Sequence, residues 1–280
     1  MKTYRFAYGS GTVEFPLEEK NIIGELHGNV VEPISDIRKE LWASLDAPID
    51  SEPLCRRVTP GSTVALVVSD MSRFWMRQDL VVPHLVDYLT QRCGVRERDI
   101  TIVIANGTHT GGDEAELRTL VTDAVYDRIT VENHDCESED LVYLGTTPHG
   151  TPVSINRTAA LADMVICLGA ATHHVMAGFG GGRKSILPGI SGRETIFHNH
   201  AFSLDATSLR SNPAVGNGIL QGNPLHEDMC EAAGLVKNLF MVNLVMNTQM
   251  RLAAIFSGHY LTSWEQACRT VNHIYQVDVP

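Results

Sequence analysis

The sequence predicts an α/β fold in which a mostly parallel, Rossmann-like sheet is flanked by helices and preceded by a short N-terminal β segment. Three continuous runs of apolar and β-branched residues, at 63–69, 100–105 and 164–168, are typical of strands buried on both faces. Segments in which apolar residues recur with helical spacing lie between these runs. Because strands that alternate with helices are characteristic of parallel sheets, the runs are predicted to share one sheet.

The first half of the chain supplies most of this pattern. Residues 2–19 predict two short strands around the turn Gly9-Ser10-Gly11, where glycines permit a reversal of the chain. The elements that follow are a helix at 34–45, a strand at 63–69, a helix at 80–93 that ends before Gly94, a strand at 100–105, a helix at 113–124 and a strand at 128–132.

The second half continues the alternation, without an internal repeat or a low-complexity linker. Its predicted elements are a helix at 156–162, a strand at 164–168, a helix at 225–233, strands at 239–246 and 252–256, and a helix at 263–275. Residues 277–280 look extended. The whole chain, residues 1–280, is therefore predicted to form a single α/β domain.

Composition excludes several classes of partner. The chain has 280 residues, of which 44% are hydrophobic and 20% charged, as in an ordinary globular protein. A formal net charge of -11 argues against a nucleic-acid partner, since duplex binding needs clustered lysine and arginine. No apolar run is long enough to span a membrane, and the N-terminus lacks the apolar stretch of a signal peptide.

The six cysteines are scattered, with no Cys-x-x-Cys pair, and most stand within apolar runs. This pattern favours buried free thiols over a disulfide framework or a zinc site. Together with the absence of a targeting segment, it predicts a cytoplasmic protein.

Polar residues that are suited to catalysis or ligand binding follow three of the predicted strands. Asp70-Met71-Ser72-Arg73 follows the first run, Asn106-Gly107-Thr108-His109-Thr110 the second, and residues 169–174, which end in His173-His174, the third. The carboxyl ends of parallel strands meet at one edge of the sheet, where open α/β folds bind their ligands. The three clusters are therefore expected to converge on one site.

Residues 177–192 form a glycine-rich segment that contains Arg183 and Lys184. Glycines beside two basic residues suggest a loop that offers backbone N–H groups and positive charge to an anion such as phosphate. A flexible surface turn is the alternative, because the spacing matches neither a Walker A loop nor a dinucleotide-binding fingerprint. A lysine beside a phosphate site can also anchor a cofactor covalently.

His198 and His200 have a spacing found in metal sites, although the pair is weak evidence alone. No acidic residue stands close enough in sequence to complete an evident site of two histidines and one carboxylate. The residues by themselves indicate an enzyme that uses either a metal or a phosphate-bearing cofactor.

The same segments resemble the lactate racemase family over most of the chain. The resemblance is carried by His174, by Gly181-Gly182-Arg183-Lys184 and Leu187-Pro188-Gly189-Ile190, and by residues 195–200. Residues 69–73 and Asn106-Gly107-Thr108-His109 fit in the same order. The segment around Lys184 is the most specific of these.

The resemblance implies a nickel-pincer nucleotide, a thiolated pyridinium mononucleotide attached covalently to Lys184, with His200 as the nickel ligand from the protein. By position, His109 and His174 would be the acid/base pair, Arg73 would bind the substrate carboxylate and Asp70 would support the site. Thr108, Gly181, Gly182 and Arg183 would help Lys184 to hold the cofactor. The implied reaction is inversion at C2 of a 2-hydroxy acid, lactate or a related acid, by hydride transfer to the cofactor.

Alternatives accompany this assignment. His173 adjoins His174 and His198 is two residues from His200, so either could exchange roles; the spacing from Lys184 favours His174 and His200. Members of the family carry a further C-terminal domain, which the resemblance implies is missing from this chain. A histidine-ligated, metal-dependent hydrolase and a non-catalytic nucleotide-binding domain are the competing functions.

Overall fold

The computed structural model describes every residue except Leu209, Asp278 and Pro280. The chain opens with an antiparallel hairpin formed by β1 (Lys2–Tyr8) and β2 (Gly11–Leu17), with Gly9 in the left-handed conformation that its turn requires. This confirms the predicted N-terminal β segment. The predicted extended segment at 277–280 falls partly on Asp278 and Pro280, which lie outside the described residues.

The remaining elements are short helices and strands that together form an α/β arrangement. Those of the first half are α1 (Ile37–Asp46), α2 (Leu54–Arg57), β3 (Val64–Ser69), α3 (Val82–Asp87), β4 (Ile100–Ala105), α4 (Glu114–Val121), α5 (Asp123–Tyr126) and β5 (Thr130–Asn133). Those that follow are β6 (Val142–Thr146), β7 (Pro152–Ile155), α6 (Arg157–Leu161), β8 (Met164–Ala170), β9 (His173–His174) and β10 (Ala177–Phe179). The last are α7 (Arg193–Ala201), β11 (Gly216–Asn217), α8 (Pro224–Gly234), β12 (Leu239–Met246), β13 (Leu252–Gly258) and α9 (Thr262–Tyr275).

A six-stranded sheet with the order β13-β12-β8-β3-β4-β5 forms the centre of the molecule. All neighbouring pairs are parallel except β12 and β13, which are antiparallel. From β3 the chain builds towards one edge through β4 and β5, and then returns to build towards the other edge through β8 and β12. The order therefore reverses between β3 and β8, and open α/β sheets bind ligands beyond the carboxyl ends of strands at such a point.

The hydrophobic core lies on both faces of the sheet. Alternate residues of β3 point to opposite faces, so that Val64, Leu66 and Val68 belong to one apolar cluster while Ala65 and Val67 belong to another. All five are at most 2% exposed. This two-sided burial explains why the sequence shows a continuous apolar run here rather than an alternating one.

The predicted α/β fold is confirmed, and each predicted strand is present. Two predicted helices are interrupted. The helix at 80–93 comprises a short turn, α3 and a π-helical segment at Tyr88–Arg92. The helix at 113–124 breaks at Thr122, whose φ of 77° lies in the left-handed region. The hairpin of β6 and β7 and the helix α7 were not predicted, since residues 193–201 lack a continuous apolar stripe.

The prediction that all cysteines are free thiols is wrong for one pair. Cys55 and Cys93 form a disulfide with Cα atoms 4.7 Å apart, although 38 residues separate them in sequence. The pairing arises because α2 packs beside the end of the Tyr88–Arg92 segment, which no cysteine spacing reveals. Cys136, Cys167, Cys230 and Cys268 are free, as predicted.

Within the described part of the chain, no helix combines the length and the apolar character needed to cross a membrane.

Candidate active site

The carboxyl ends of β3, β4 and β8 open into a cavity of about 510 Å³. The three polar clusters predicted to converge do so, because these strands are neighbours in the sheet. Eight of the predicted site residues line the cavity: Asp70, Arg73, Thr108, His109, His174, Gly181, Lys184 and His200. Gly182 and Arg183 do not line it.

Asp70 and His109 form a hydrogen-bonded pair across the ends of β3 and β4. His109 Nδ1 lies 2.5 Å from an oxygen of Asp70, whose carboxylate also accepts a 2.5 Å hydrogen bond from the hydroxyl of Ser72. Asp70 is 8% exposed, so its carboxylate is held in place. A carboxylate that accepts from Nδ1–H fixes the imidazole tautomer and leaves Nε2 of His109 free to accept a proton.

Arg73 stands beside this pair at the mouth of the cavity. It belongs to a 3-10 turn at Met71–Met76, and its guanidinium donates 3.0 Å to the hydroxyl of Ser72. No acidic side chain forms a salt bridge with it among the residues that the structure describes. Its remaining donors can therefore serve an anionic ligand, and the planar guanidinium suits a carboxylate.

His174 faces the cavity from the strand pair β9 and β10. Its Nδ1 accepts hydrogen bonds from the backbone N–H groups of Met176 at 3.2 Å and Ala177 at 3.1 Å. Burial, followed by the positive charge of Lys184, lowers the pKa of His174 to about 4. The ring is therefore neutral at pH 7, and since Nδ1 accepts two hydrogen bonds, its proton must reside on Nε2.

Lys184 reaches the same point from the glycine-rich segment. Its Nζ lies 3.1 Å from Nε2 of His174. Burial, followed by the charges of Arg183 and Arg73, lowers the pKa of Lys184 to about 7. Because His174 offers a proton at Nε2, the amine accepts this hydrogen bond in its unprotonated form, which a pKa of about 7 makes a large fraction of the molecules at neutral pH. An uncharged amine is a nucleophile, whereas an ammonium group is not.

His200 is supplied by α7, the helix that the sequence did not predict. Its Nδ1 lies 2.9 Å from the carbonyl oxygen of Ile196, one helical turn earlier, to which it donates. This hydrogen bond leaves the lone pair on Nε2 available, as in histidines that bind metals. Burial, followed by the charge of Lys184, lowers the pKa of His200 and keeps the imidazole in the neutral form that metals require.

The two alternative histidines lie outside the cavity lining. The Nε2 of His173 lies 2.8 Å from the side-chain oxygen of Asn272, and its ring packs 4.9 Å from that of Phe179. His198 is exposed on the other side of α7. The geometry supports the preference for His174 and His200.

Arg183 is fully buried behind the glycine-rich segment. Its guanidinium donates to the carbonyl oxygens of Phe179 at 2.7 Å and Ala177 at 2.6 Å, so its side chain points into the protein. A direct contact between this side chain and a cofactor in the cavity is not compatible with that orientation. Gly182 stands with it, packed against Trp264.

Several residues that line the cavity were not predicted from the sequence. Trp75 comes from the irregular turn after β3, and Phe197 from α7, so no strand-end rule identifies them. Ser185 directly follows Lys184, and a hydroxyl next to the predicted cofactor anchor was the sequence signal that could have identified it as a site residue. Pro188 lies against Gly107, whose N–H donates 2.9 Å to the carbonyl of Gly189 and joins two loops of the site.

A different cluster has the spacing of a metal site. His149, Asp228 and Glu231 are the one group of three or more potential ligands found among the described residues. They lie outside the cavity lining, and Asp228 already accepts hydrogen bonds from Thr147, Thr151 and Asn199. The cavity histidines do not form such a group.

Comparisons with known proteins show the family of this chain. A family model described as the lactate racemase N-terminal domain matches residues 8–211. The chain is 28% identical over 281 aligned residues to the lactate racemase of Thermoanaerobacterium thermosaccharolyticum, covering 99% of this chain and 64% of that protein. It is 27% identical to the lactate racemase of Lactiplantibacillus plantarum, covering 96% of this chain and 62% of that protein.

Solved structures give the same result. The lactate racemase apoprotein from Thermoanaerobacterium thermosaccharolyticum superposes with a TM-score of 0.85 and 27% identity, over 98% of this chain and 63% of that one. A Thermotoga maritima protein shares the fold, with a TM-score of 0.62 and 20% identity over 85% of this chain and 58% of that one. This chain thus spans less than two thirds of the length of these relatives.

Proposed function

The chain belongs to the lactate racemase N-terminal domain family, and on this basis we propose that it is the cofactor-carrying part of a 2-hydroxy-acid racemase or epimerase. The proposed substrate is lactate or a related acid. One observation carries the proposal: an uncharged lysine amine, an arginine without an acidic partner among the described residues, and three histidines surround a single cavity at the switch point of the sheet.

We further propose that residues 1–280 form one N-terminal domain and that a C-terminal domain completes the active site. Support comes from the relatives, of which the matched region covers 62% to 64%. A site completed by a second domain would exclude water from the reacting groups when the two domains close.

The residues of the cavity fit a nickel-pincer nucleotide. Lys184 presents an uncharged amine, which a covalent attachment requires, and His200 presents a free Nε2, which a metal requires. Gly181 lets the loop approach the end of β8 closely, since a Cβ there would lie 2.6 Å from the carbonyl oxygen of Ala170. Lys184 would carry the group, His200 would bind its nickel, and Thr108 with the backbone of Gly181 would hold its phosphate.

When bound, this group would supply reversible hydride transfer at C2 of the substrate. The chain's own residues provide orientation and proton transfer. Arg73 would bind the substrate carboxylate bidentately, which fixes the C2 hydroxyl relative to the histidines. His109 would accept the hydroxyl proton at Nε2, since Asp70 holds Nδ1 and stabilises the imidazolium that forms.

His174 would serve the opposite enantiomer. In the structure its Nε2 contacts the Lys184 amine, and both histidines line the same cavity. A covalent link at the Lys184 nitrogen would release Nε2 of His174 to the substrate, and to accept the hydroxyl proton there the ring would have to carry its own proton on Nδ1 instead. Two histidines in one cavity would thus allow proton transfer to and from either enantiomer.

The competing functions have less support. A zinc-type hydrolase needs about three protein ligands, and the group of three in the described chain lies outside the cavity. A non-catalytic nucleotide-binding domain would have no use for the Asp70–His109 pair.

Intact mass and nickel analysis test the proposal most directly. The chain is co-produced with the enzymes that make the cofactor, and its mass is measured under denaturing conditions. We expect a mass increment that maps to Lys184 and about one nickel per chain in the folded sample. The His200→Ala variant should retain the increment and lose at least about tenfold in nickel affinity, because a first-sphere ligand is absent.

The matched control is His198→Ala, on the exposed side of the same helix, which should keep both the increment and the nickel. An unmodified Lys184 in a folded, co-produced chain would contradict the proposed cofactor. Equal nickel loss in both histidine variants would contradict the assignment of His200.

A further inference from the structure

Arg183 is a fully buried cation. It is 0% exposed, and within the described residues no carboxylate forms a salt bridge with it. Its guanidinium instead binds three carbonyl oxygens of the preceding loop: Phe179 at 2.7 Å, Ala177 at 2.6 Å and Gly181 at 3.5 Å. Burial lowers the pKa of Arg183 to about 10, which still leaves it charged at neutral pH.

Trp264 of α9 holds the same loop from the adjoining side. The indole is fully buried, and its Nε1 donates 2.8 Å to the carbonyl oxygen of Gly180. The Arg183 guanidinium carbon lies 3.9 Å from the centre of the indole, which is cation–π contact. A Cβ on Gly182 would approach the indole to 2.5 Å, so the loop backbone packs directly on the ring.

These contacts determine where Lys184 points. Arg183 holds the carbonyl groups of Ala177, Phe179 and Gly181 on the protein side, and Trp264 holds that of Gly180. Lys184 leaves the loop on the cavity side. Its Nζ is thereby placed 3.1 Å from Nε2 of His174. The arrangement requires an uncharged amine, because Nδ1 of His174 is already an acceptor.

We propose that Arg183 and Trp264 are positioning residues for Lys184: they clamp the loop from behind and hold a buried, fixed cation next to the Lys184 amine. The role of Lys184 as the cofactor anchor rests on the proposed function. The contacts by which Arg183 and Trp264 clamp the loop are a property of the cofactor-free chain. Neither residue touches the cavity, so neither is a catalytic residue.

The charges around Lys184 support the electrostatic part. His174, His200 and Arg73 face it across the cavity, and Arg183 lies behind it. No acidic group is among the causes of its altered pKa: burial contributes most, then Arg183, then Arg73. At neutral pH both histidines are uncharged, which leaves the two arginines as the fixed cations near the amine.

Competitive acetylation of the cofactor-free chain tests the proposal. Lys184 and the exposed Lys237 are labelled with acetic anhydride at a series of pH values from about 5 to 10. The extent of acetylation of each lysine is quantified by mass spectrometry. In the wild type we expect Lys184 labelling to rise with a midpoint near 7. Arg183→Met should move the midpoint up by at least about one pH unit, which slows labelling at pH 7 about fivefold or more.

Arg183→Lys and Trp264→Phe test the charge and the clamp in turn. The lysine variant loses the fork, and a fully buried lysine without an acidic partner among the described residues should lose its charge as Lys184 does, so its midpoint should rise as in Arg183→Met. Trp264→Phe keeps a ring and loses the hydrogen bond to Gly180, so amide hydrogen exchange in residues 177–184 should accelerate. Arg57→Met, a half-buried arginine away from the cavity, is the matched control and should change neither measurement.

A purely structural Arg183 would lower thermal stability and leave the Lys184 midpoint unchanged; folded Arg183→Met with a wild-type midpoint therefore overturns the proposal. If Arg183→Met does not fold, unchanged hydrogen exchange in Trp264→Phe overturns the clamp. Because the cofactor is absent throughout, these outcomes are independent of whether the proposed racemase function is right.

Discussion

At the scale of a single residue, the burial of Lys184 in the site makes the folded chain less stable. An ordinary lysine is exposed and charged, whereas Lys184 is largely buried, with a pKa lowered to about 7. In the unfolded chain the amine regains its usual pKa, 10.5, and binds a proton more tightly. The unfolded state is therefore favoured by protonation, and the folded state bears this cost below pH 10.5.

The pH dependence follows from the sign of this shift. For a base whose pKa is lowered on folding, stability rises as pH increases from about 7 to 10.5 and is constant below about 7. We expect Lys184→Met to raise the free energy of unfolding of the cofactor-free chain by roughly 2 to 4 kcal/mol at pH 7. The gain should shrink steadily as the pH approaches 10.5, as measured by urea denaturation.

Lys237→Met provides the control, because Lys237 is exposed and its substitution should alter the free energy of unfolding little at any pH. A Lys184→Met chain that is less stable than the wild type at pH 7 would show that the amine is stabilising and charged in the fold.

At the scale of elements, the glycine-rich segment is more than a flexible turn. Gly181 and Gly182 have φ angles of 68° and 54°, and each packs where a side chain cannot fit. The left-handed backbone places the carbonyls towards Arg183 and Trp264 and turns the chain so that Lys184 faces the cavity. The glycines are required by both conformation and space.

Two glycine substitutions separate these requirements. Gly182→Ala would place a methyl group 2.5 Å from the indole of Trp264, whereas Gly218 has a φ of 72° with open space around it. We expect Gly182→Ala to cost about 3 kcal/mol or more, and Gly218→Ala about 1 kcal/mol, since only the first adds steric overlap to the conformational strain. Urea denaturation of both variants measures the difference. Equal costs would show that the loop yields and that Trp264 does not hold it.

At the scale of the whole molecule, the N-terminal hairpin stands apart from the core. Every residue of β2 before Leu17 is exposed, and Phe6 and Phe15 are 57% and 53% exposed. The α/β core behind it buries two faces of a six-stranded sheet. An isolated two-stranded hairpin contributes little stability in water, because it buries little apolar surface.

Deletion of residues 2–17 should therefore change the free energy of unfolding by less than about 1 kcal/mol. Leu41→Ala, at a fully buried position of α1, should cost about 2 to 5 kcal/mol by comparison. Both are measured by urea denaturation with circular dichroism. A deletion as costly as the leucine substitution would show that the hairpin belongs to the cooperative core.

Local physical chemistry was sufficient to predict most of the fold. The strands at 63–69, 100–105 and 164–168 were evident because burial on both faces demands continuous apolar runs. Their parallel arrangement, and hence the meeting of Asp70, His109 and His174, followed from the alternation of strands and helices. The resemblance to a known family then predicted which residues hold the cofactor, and those assignments remain proposals.

Tertiary packing decided what the sequence pattern could not express. Helix α7 has no apolar stripe, because the cavity and α8 contact it from different sides, and yet it carries His200. The Cys55–Cys93 disulfide depends on two helices that meet in space. Arg183 looked like a phosphate ligand because a basic residue in a glycine loop usually faces an anion. Trp264 lies 81 residues further along the chain, and its indole packs against the guanidinium of Arg183. The guanidinium therefore points inward, and Lys184 faces the cavity.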